Sequence, residues 1–256
     1  MLISAPNFMR ECDVVLDPSF GPVDFSQDFS NKKVFVNTDY FEQVLPKLLE
    51  SSNLTLVIHH SDRFFDRIMF EAVRPCCKRI FARNCDWTHP LVTQIPIGFV
   101  DAPPNPGQFM TKTRIDETLF KKIRESDVSK DIHMYVNVNL HGSEPKFASV
   151  RAVRQRCLEA FPSADTERRP LPEFLKMLRR SKYVACPMGF GIDTHRFFEA
   201  AYMKARPVVI SSGLDPLYRQ FGAVILDKWT DPLPEWTEPN VPEELFQTSF
   251  WITSWL

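Results

Sequence analysis

The sequence predicts an α/β protein built of two Rossmann-like domains, each with a parallel sheet. Three observations carry that expectation. In the first half, short apolar runs alternate with stretches of helical period, the pattern left by strands that crossover helices cover. Near residue 101 the Pro- and Gly-rich run "DAPPNPGQF" interrupts the pattern. Beyond it the alternation starts afresh, and 256 residues suit two domains of about 100 to 150 residues each.

Taken in order, "KKVFVNTD" and "NLTLVIHHSD" read as buried strands, because β-branched and apolar residues run on with little interruption. "YFEQVLPKLLESS" and "FFDRIMFEAV" carry apolar residues at helical spacing and read as the helices that follow them. After "TQIPIGFV" the Pro/Gly cluster and the polar helix "DETLFKKIRESD" form a linker near residues 101–130. The second half then gives the strand "HMYVNVNL", the helices "KFASVRAVRQRCLEAF" and "LPEFLKMLRRS", the strand "YVACPM", a helix from Thr194 and the strand "RPVVISS". The expected boundaries are 1–128 for the first domain and 129–235 for the second. A tail over 236–256, rich in Pro and Trp, is expected to pack back on the first domain.

With 31 basic and 32 acidic residues the formal charge is -1, which gives no electrostatic case for a nucleic-acid partner. No apolar stretch approaches the roughly 20 residues of a membrane span, and the N-terminus lacks a basic start followed by an apolar core. A cytoplasmic protein without a transmembrane segment is the expectation. Cys12, Cys76, Cys77, Cys85, Cys157 and Cys186 show neither a C-x-x-C pair nor zinc-finger spacing, so reduced structural thiols are expected.

The richest stretch is "GFGIDTHRFFEAAYMKARPVVISSG", residues 189–213. Gly189 and Gly191 lie in a loop after a strand, Asp193 or Thr194 is placed to cap the next helix, and His195 and Arg196 fall in its first turn. A helix N-terminus attracts an anion through its orphan N–H groups, and an arginine beside it adds a permanent charge and a fork of donors for phosphate oxygens. Glu199, three positions on, shares that helical face and has a carboxylate suited to the two hydroxyls of a ribose. The stretch reads as a nucleotide-diphosphate site; the competing reading is an Arg196–Glu199 ion pair on a solvated face, worth little.

"SKYVACPMGFGIDTHRFFEAAYMKARPVVIS" resembles the donor-site signature of the exostosin-like glycosyltransferases, soluble bacterial or viral members in particular. "IHHSD", "IFARNCDWTHPLVTQIPIGF" and "YVNVNL" resemble further segments of that family and occur in the same order, so the resemblance extends over most of the chain. It implies the GT-B fold, two Rossmann-like domains facing each other across a cleft, with a nucleotide sugar held mainly by the second. It also places Arg196 on the pyrophosphate, Glu199 on the ribose, Gly189, Gly191, Asp193, Thr194 and His195 around the phosphates, and Asn139 on the same crevice. Asn84 and Gly98 would line the acceptor side. Met188, Phe190, His60 and Lys204 stand where the family usually has Arg, Asn, Asn and Gly.

Glycosyl transfer needs a stabilised leaving group and a base for the acceptor hydroxyl. No D-x-D motif occurs in the chain, so Arg196, His195 and the helix terminus are expected to do a metal's work, with no cofactor required. His59, His60 and Asp62 end a buried strand at the carboxyl side, where α/β sheets place ligands. Asp62 is the first candidate base, His60 the second and Glu71 the third, with His59 on the acceptor side; Asp62 as a cap for a helix near Arg63 is the competing reading. Trp87 and His89 are candidates for stacking on a sugar, or for packing. The implied function is inverting, metal-independent transfer from a UDP-sugar such as UDP-xylose, UDP-glucuronate or UDP-N-acetylglucosamine to a glycan hydroxyl. A dinucleotide-dependent oxidoreductase and a non-catalytic nucleotide- or sugar-binding module are the alternatives. The first of these lacks a G-x-G-x-x-G after the first strand.

Overall fold

The computed structural model describes residues 1–100, 116–140, 144–165, 167 and 169–253; residues 101–115, the first half of the expected linker, lie outside the described residues. The chain divides into two compact units, Met1–Ile115 with Glu244–Leu256, and Asp116–Glu243.

The first unit contains α1 (Ala5–Arg10), β1 (Val14–Leu16), β2 (Lys33–Asn37), α2 (Phe41–Leu49), β3 (Leu54–His59), α3 (Arg67–Val73), β4 (Cys77–Ala82) and β5 (Val92–Gln94). Its five strands are all parallel and lie in sequence order. Successive right-handed crossovers between neighbouring strands put their helices on one face of a sheet. Accordingly Val34, Val36, Leu54, Leu56 and Ile58 share one core cluster with Phe41, Val44 and Leu48 of α2 and Met69, Phe70 and Val73 of α3. Phe35, Val57 and Phe81 alternate onto the other face, where Phe8 of α1 lies against the ring of His59. All six residues of β3 are buried, as a central parallel strand requires.

"FFDRIMFEAV" becomes helical only at Arg67, because the Asp66 carboxylate accepts from the Met69 N–H at 2.8 Å and starts the helix there. Asp62 therefore caps no helix.

The second unit contains α4 (Glu117–Arg124), β6 (Ile132–Tyr135), α5 (Ala148–Ala160), α6 (Leu171–Arg180), β7 (Ser181–Ala185), α7 (His195–Tyr202), β8 (Arg206–Ile210), α8 (Asp215–Gln220) and β9 (Val224–Leu226). Its four strands are again parallel and in sequence order. Cys157 of α5 packs with Tyr183, Ala185, Val208 and Trp229 on one face. "HMYVNVNL" is a strand for less of its length than its pattern suggests. Its ladder with β7 ends at Tyr135, after which Asp165 N donates to Val136 O at 2.7 Å and Asn137 Nδ2 to the carbonyls of Asp165 and Glu167.

The last element, α9 (Thr248–Thr253), follows a 3-10 turn at Glu243–Phe246. Ile3 N donates to Phe246 O and Thr248 N to Met1 O, both at 3.0 Å, and Leu2 bridges Gln247 antiparallel. All six cysteines are free. Among the described residues, no helix is long and apolar enough to cross a membrane.

Candidate functional site

In the second unit, residues 186–194 join the carboxyl end of β7 to α7. The loop is anchored first by Cys186 N, which donates to Val208 O at 2.8 Å. Near its far end Asp193, buried, accepts from its own neighbour Thr194 N at 3.1 Å, and Tyr218 Oη of α8 lies 3.2 Å from both Asp193 Oδ1 and Ile192 O. Thr194 occupies the cap position of α7 in extended backbone, but its hydroxyl makes no capping bond. The expected cap is thus a brace from Asp193 to the loop. Gly189 N closes a tight turn on Gly191 O at 3.1 Å, and neither glycine has a positive φ. A Cβ at Gly189 would stand 3.5 Å from Arg154 Nη2, an ordinary van der Waals contact.

Arg154, on α5, is the residue that sequence reasoning missed. Its Nη1 donates to Asn139 O at 2.7 Å and its Nε to Met188 O at 3.3 Å, so one guanidinium ties the end of the β6 segment to the loop after β7. Burial lowers its pKa, and the positive charge of Arg196 lowers it further. Arg196, in the first turn of α7, stacks over the ring of Phe174 with its Cζ 5.2 Å from the centroid. Its Nε is buried without a hydrogen-bond partner, and it forms no ion pair with Glu199 or any other described acid. Glu199 itself is buried, which removes the reading of a solvated surface pair. His195 is half-buried, and Asn139, exposed, meets Arg154 through its carbonyl.

The aromatic packing below explains why Arg196 is held there. Phe197 stacks on Tyr218 at 4.2 Å, and Phe198 meets Phe221 edge-on at 5.2 Å. These pairs fix the roll of α7 and contribute about 0.5–1.5 kcal/mol each beyond the area they bury. Cys157 and Cys186 lie within the field of Arg196, yet burial dominates and raises both thiols, Cys157 to about 12. They are protonated at neutral pH.

The first unit sorts its candidates differently. His59 is 1% exposed; its Nδ1 accepts from His60 N at 2.7 Å, which leaves Nε2–H to donate to Pro96 O at 3.1 Å. Both ring nitrogens are thereby engaged in the fold. Asn84 is fully buried, and its Nδ2 braces the carbonyls of Ser61 and Asp62. Gly98 is buried with φ 70°, and a Cβ there would come within 2.2 Å of Ile3 O, so it serves close packing of the chain. Asn84 and Gly98, expected on the acceptor side, thus make structural contacts within the first unit.

Asp62 is exposed, but its Oδ1 accepts from Arg83 Nη2 at 3.0 Å, and Arg83 is 5% exposed. His60 is half-exposed, takes φ 64°, and brings Nδ1 within 2.5 Å of Asp17 Oδ2. Glu71 pairs with Arg74 on the outer side of α3. Trp87 Nε1 donates to Phe65 O at 3.0 Å with its ring stacked on Phe65, and His89 Nδ1 accepts from Leu91 N while its ring meets Phe70. Both are packing residues. Among the described residues, no group of three His, Cys, Asp or Glu side chains is arranged to hold a metal ion.

The chain thus has two α/β units, each with a parallel sheet, and in the second the loop after β7 is gripped by Arg154 of α5 and leads into Arg196 of α7. Compared with known proteins, the chain matches no family model and no curated protein.

Proposed function

We propose that the chain is a glycosyltransferase that moves a sugar from a nucleotide-diphosphate donor, best a UDP-sugar, to a glycan hydroxyl with inversion. The observation that carries this reading is the convergence of Arg154 and Arg196 on the loop before α7. Arg196 keeps a buried Nε without a hydrogen-bond partner and Arg154 grips the loop at Met188 O, and guanidiniums so placed suit a multiply charged anion. The first turn of α7 holds no acidic residue, so the positive end of its dipole is not compensated from within the helix. The resemblance of "GFGIDTHRFFEA" to the exostosin-like donor signature supports a nucleotide sugar as that anion, and hence the GT-B type for the pair of units.

In this reading Arg196 and Arg154 bind the pyrophosphate and stabilise the charge that develops on it as the glycosidic bond breaks. The loop residues Gly189, Gly191, Asp193, Thr194 and His195 surround it. Asn139 and Glu199 contact the nucleoside, and Asp62 and His60 are the candidate bases. Donor binding is metal-independent, because guanidiniums and the helix terminus neutralise the diphosphate.

The test is thermal shift and calorimetry with UDP, UMP and pyrophosphate in EDTA. UDP at a hundred times its Kd is expected to stabilise by about 2.7 kcal/mol. Arg196→Ala should weaken it by about 1.5–3 kcal/mol, and Glu199→Gln should weaken UDP more than pyrophosphate. Absence of UDP binding, or binding restored only by manganese, would overturn the proposal.

A further inference from the structure

Two consecutive histidines end β3, and the fold treats them oppositely. His59 has both ring nitrogens consumed, whereas His60 leaves the strand in the left-handed region, φ 64°, and turns its Nδ1 to Asp17 Oδ2 at 2.5 Å. A non-glycine residue there is strained, and such strain persists where surrounding contacts fix it. Asp17 follows β1 directly, its side chain is fully buried, and its Oδ1 is occupied by Ser19 N at 3.0 Å and Ser19 Oγ at 2.6 Å. Oδ2 faces the imidazole, and the Asn37 side chain adds a further hydrogen bond to the carboxylate. Because β1, β2 and β3 are adjacent and parallel, Asp17 and His60 come together at the carboxyl ends of their strands, although 43 positions separate them in sequence.

We propose that Asp17 and His60 form a proton-accepting dyad in which His60 Nε2 takes the proton of a hydroxyl group and Asp17 positions the ring. The identity of that hydroxyl, the glycan acceptor, rests on the glycosyl-transfer reading; the dyad itself rests on the geometry. Burial pushes the Asp17 carboxyl up, but hydrogen bonds from His60 and Ser19 outweigh it and hold the group below the usual range, so Asp17 is an acceptor only. The hydrogen therefore sits on Nδ1, and Nε2 of the neutral ring carries the lone pair. Nε2 makes no hydrogen bond among the described residues, and the side chain is 28% exposed. The edge of the ring lies against Phe20 at 5.1 Å. Among the described residues Asp17 is the one charged group hydrogen-bonded to the ring, and Asp62 is engaged by Arg83.

In the reaction the acceptor O–H proton passes to His60 Nε2 as the oxygen forms its bond to the anomeric carbon. The carbon–oxygen bond to the diphosphate breaks at the same time, and the diphosphate leaves with the electron pair. Asp17 stabilises the imidazolium that results. His60 is the catalytic residue and Asp17 a positioning residue.

The experiment is diethylpyrocarbonate modification of the whole chain at neutral pH, with each histidine followed by peptide mass spectrometry. His60 is expected to react faster than the exposed His133. That preference is expected to be lost in Asp17→Asn and partly restored in Asp17→Glu, with circular dichroism confirming the fold. A His60 slower than His133 in the unmodified sequence overturns the dyad whether or not the variants fold, and so does an unchanged rate in a folded Asp17→Asn. Turnover is then measured with a panel of UDP-sugars, with water or a glycan as acceptor. His60→Gln is expected to lower kcat by about 10² to 10⁴ with KM unchanged. An unchanged kcat overturns the proton-accepting role. Absence of turnover in the unmodified chain overturns the glycosyl-transfer reading instead, and the dyad then stands or falls on the modification rates.

Discussion

Gly98 is held to glycine by geometry. Its φ of 70° lies in the left-handed region that a β-carbon disfavours, and a Cβ would sit 2.2 Å from the carbonyl oxygen of Ile3, so the backbone itself would have to move. Gly98→Ala is expected to cost at least about 2 kcal/mol in urea unfolding, from left-handed strain and overpacking together. Arg154 makes the complementary case, since its guanidinium both carries charge and staples Asn139 O to Met188 O. Arg154→Ala should weaken UDP binding by about 1.5–3 kcal/mol, roughly ten- to a hundredfold in Kd, as calorimetry would show. Lysine there restores the charge but not the planar fork, so Arg154→Lys should recover only part of the loss. Arg196 could be read from the sequence because its loop, helix terminus and charge are contiguous. Arg154 could not, because its two backbone partners lie 15 and 34 positions away and only the packing of α5 brings them into reach. The same holds for Asp17, which carries no local signal of its partnership with His60.

At the scale of the element, α7 shows an uneven distribution of charge. His195 and Arg196 stand at its positive end, while at its other end Arg124 Nη1 donates to Tyr202 O and Lys130 Nζ to Met203 O. The carbonyls of Tyr202 and Met203 thus accept from basic side chains at the C-terminal end, whereas the first turn holds no acidic residue of its own. Burial is the main cause that brings the Lys130 pKa down to about 7, with repulsion from Arg179 and Lys204 adding to it and Glu238 opposing. The unfolded chain, with an ordinary lysine, binds a proton there up to about pH 10.5. Between about pH 7 and pH 10 the unfolded state therefore holds more protons, and the Lys130 contribution to stability rises with pH and is lost as pH falls through 7. Lys130→Met should flatten that rise, as urea midpoints measured across the range would report; an identical slope would mean that Lys130 is solvated. The helices and strands themselves were legible from period and composition. Their limits were not, because Asp66 sets the start of α3 and a change of strand partner ends β6, and neither leaves a trace in apolar spacing.

For the whole molecule, the double alternation of strands and helices announced two parallel sheets, since parallel neighbours need a crossover and the crossovers are visible as helical periods. The pairing of Leu2 and Ile3 with Phe246 and Gln247 is not visible in this way, because it consists of backbone hydrogen bonds that any side chain permits. Those bonds make the second unit an uninterrupted insertion, Asp116–Glu243, within the first. Removal of residues from Glu244 onward should therefore strip Leu2, Ile3 and Thr248 of their partners and lower the stability of the first unit, while UDP binding by the second persists. Loss of UDP binding in that truncation, with the second unit still protected in hydrogen exchange, would place part of the nucleotide site in the removed segment. The same connectivity orders events on the ribosome: the residues of β1 to β5 emerge first yet are completed last, so the inserted unit is expected to close before the one that encloses it. Released chains that end at Glu243 should resist protease more strongly in the second unit than in the first.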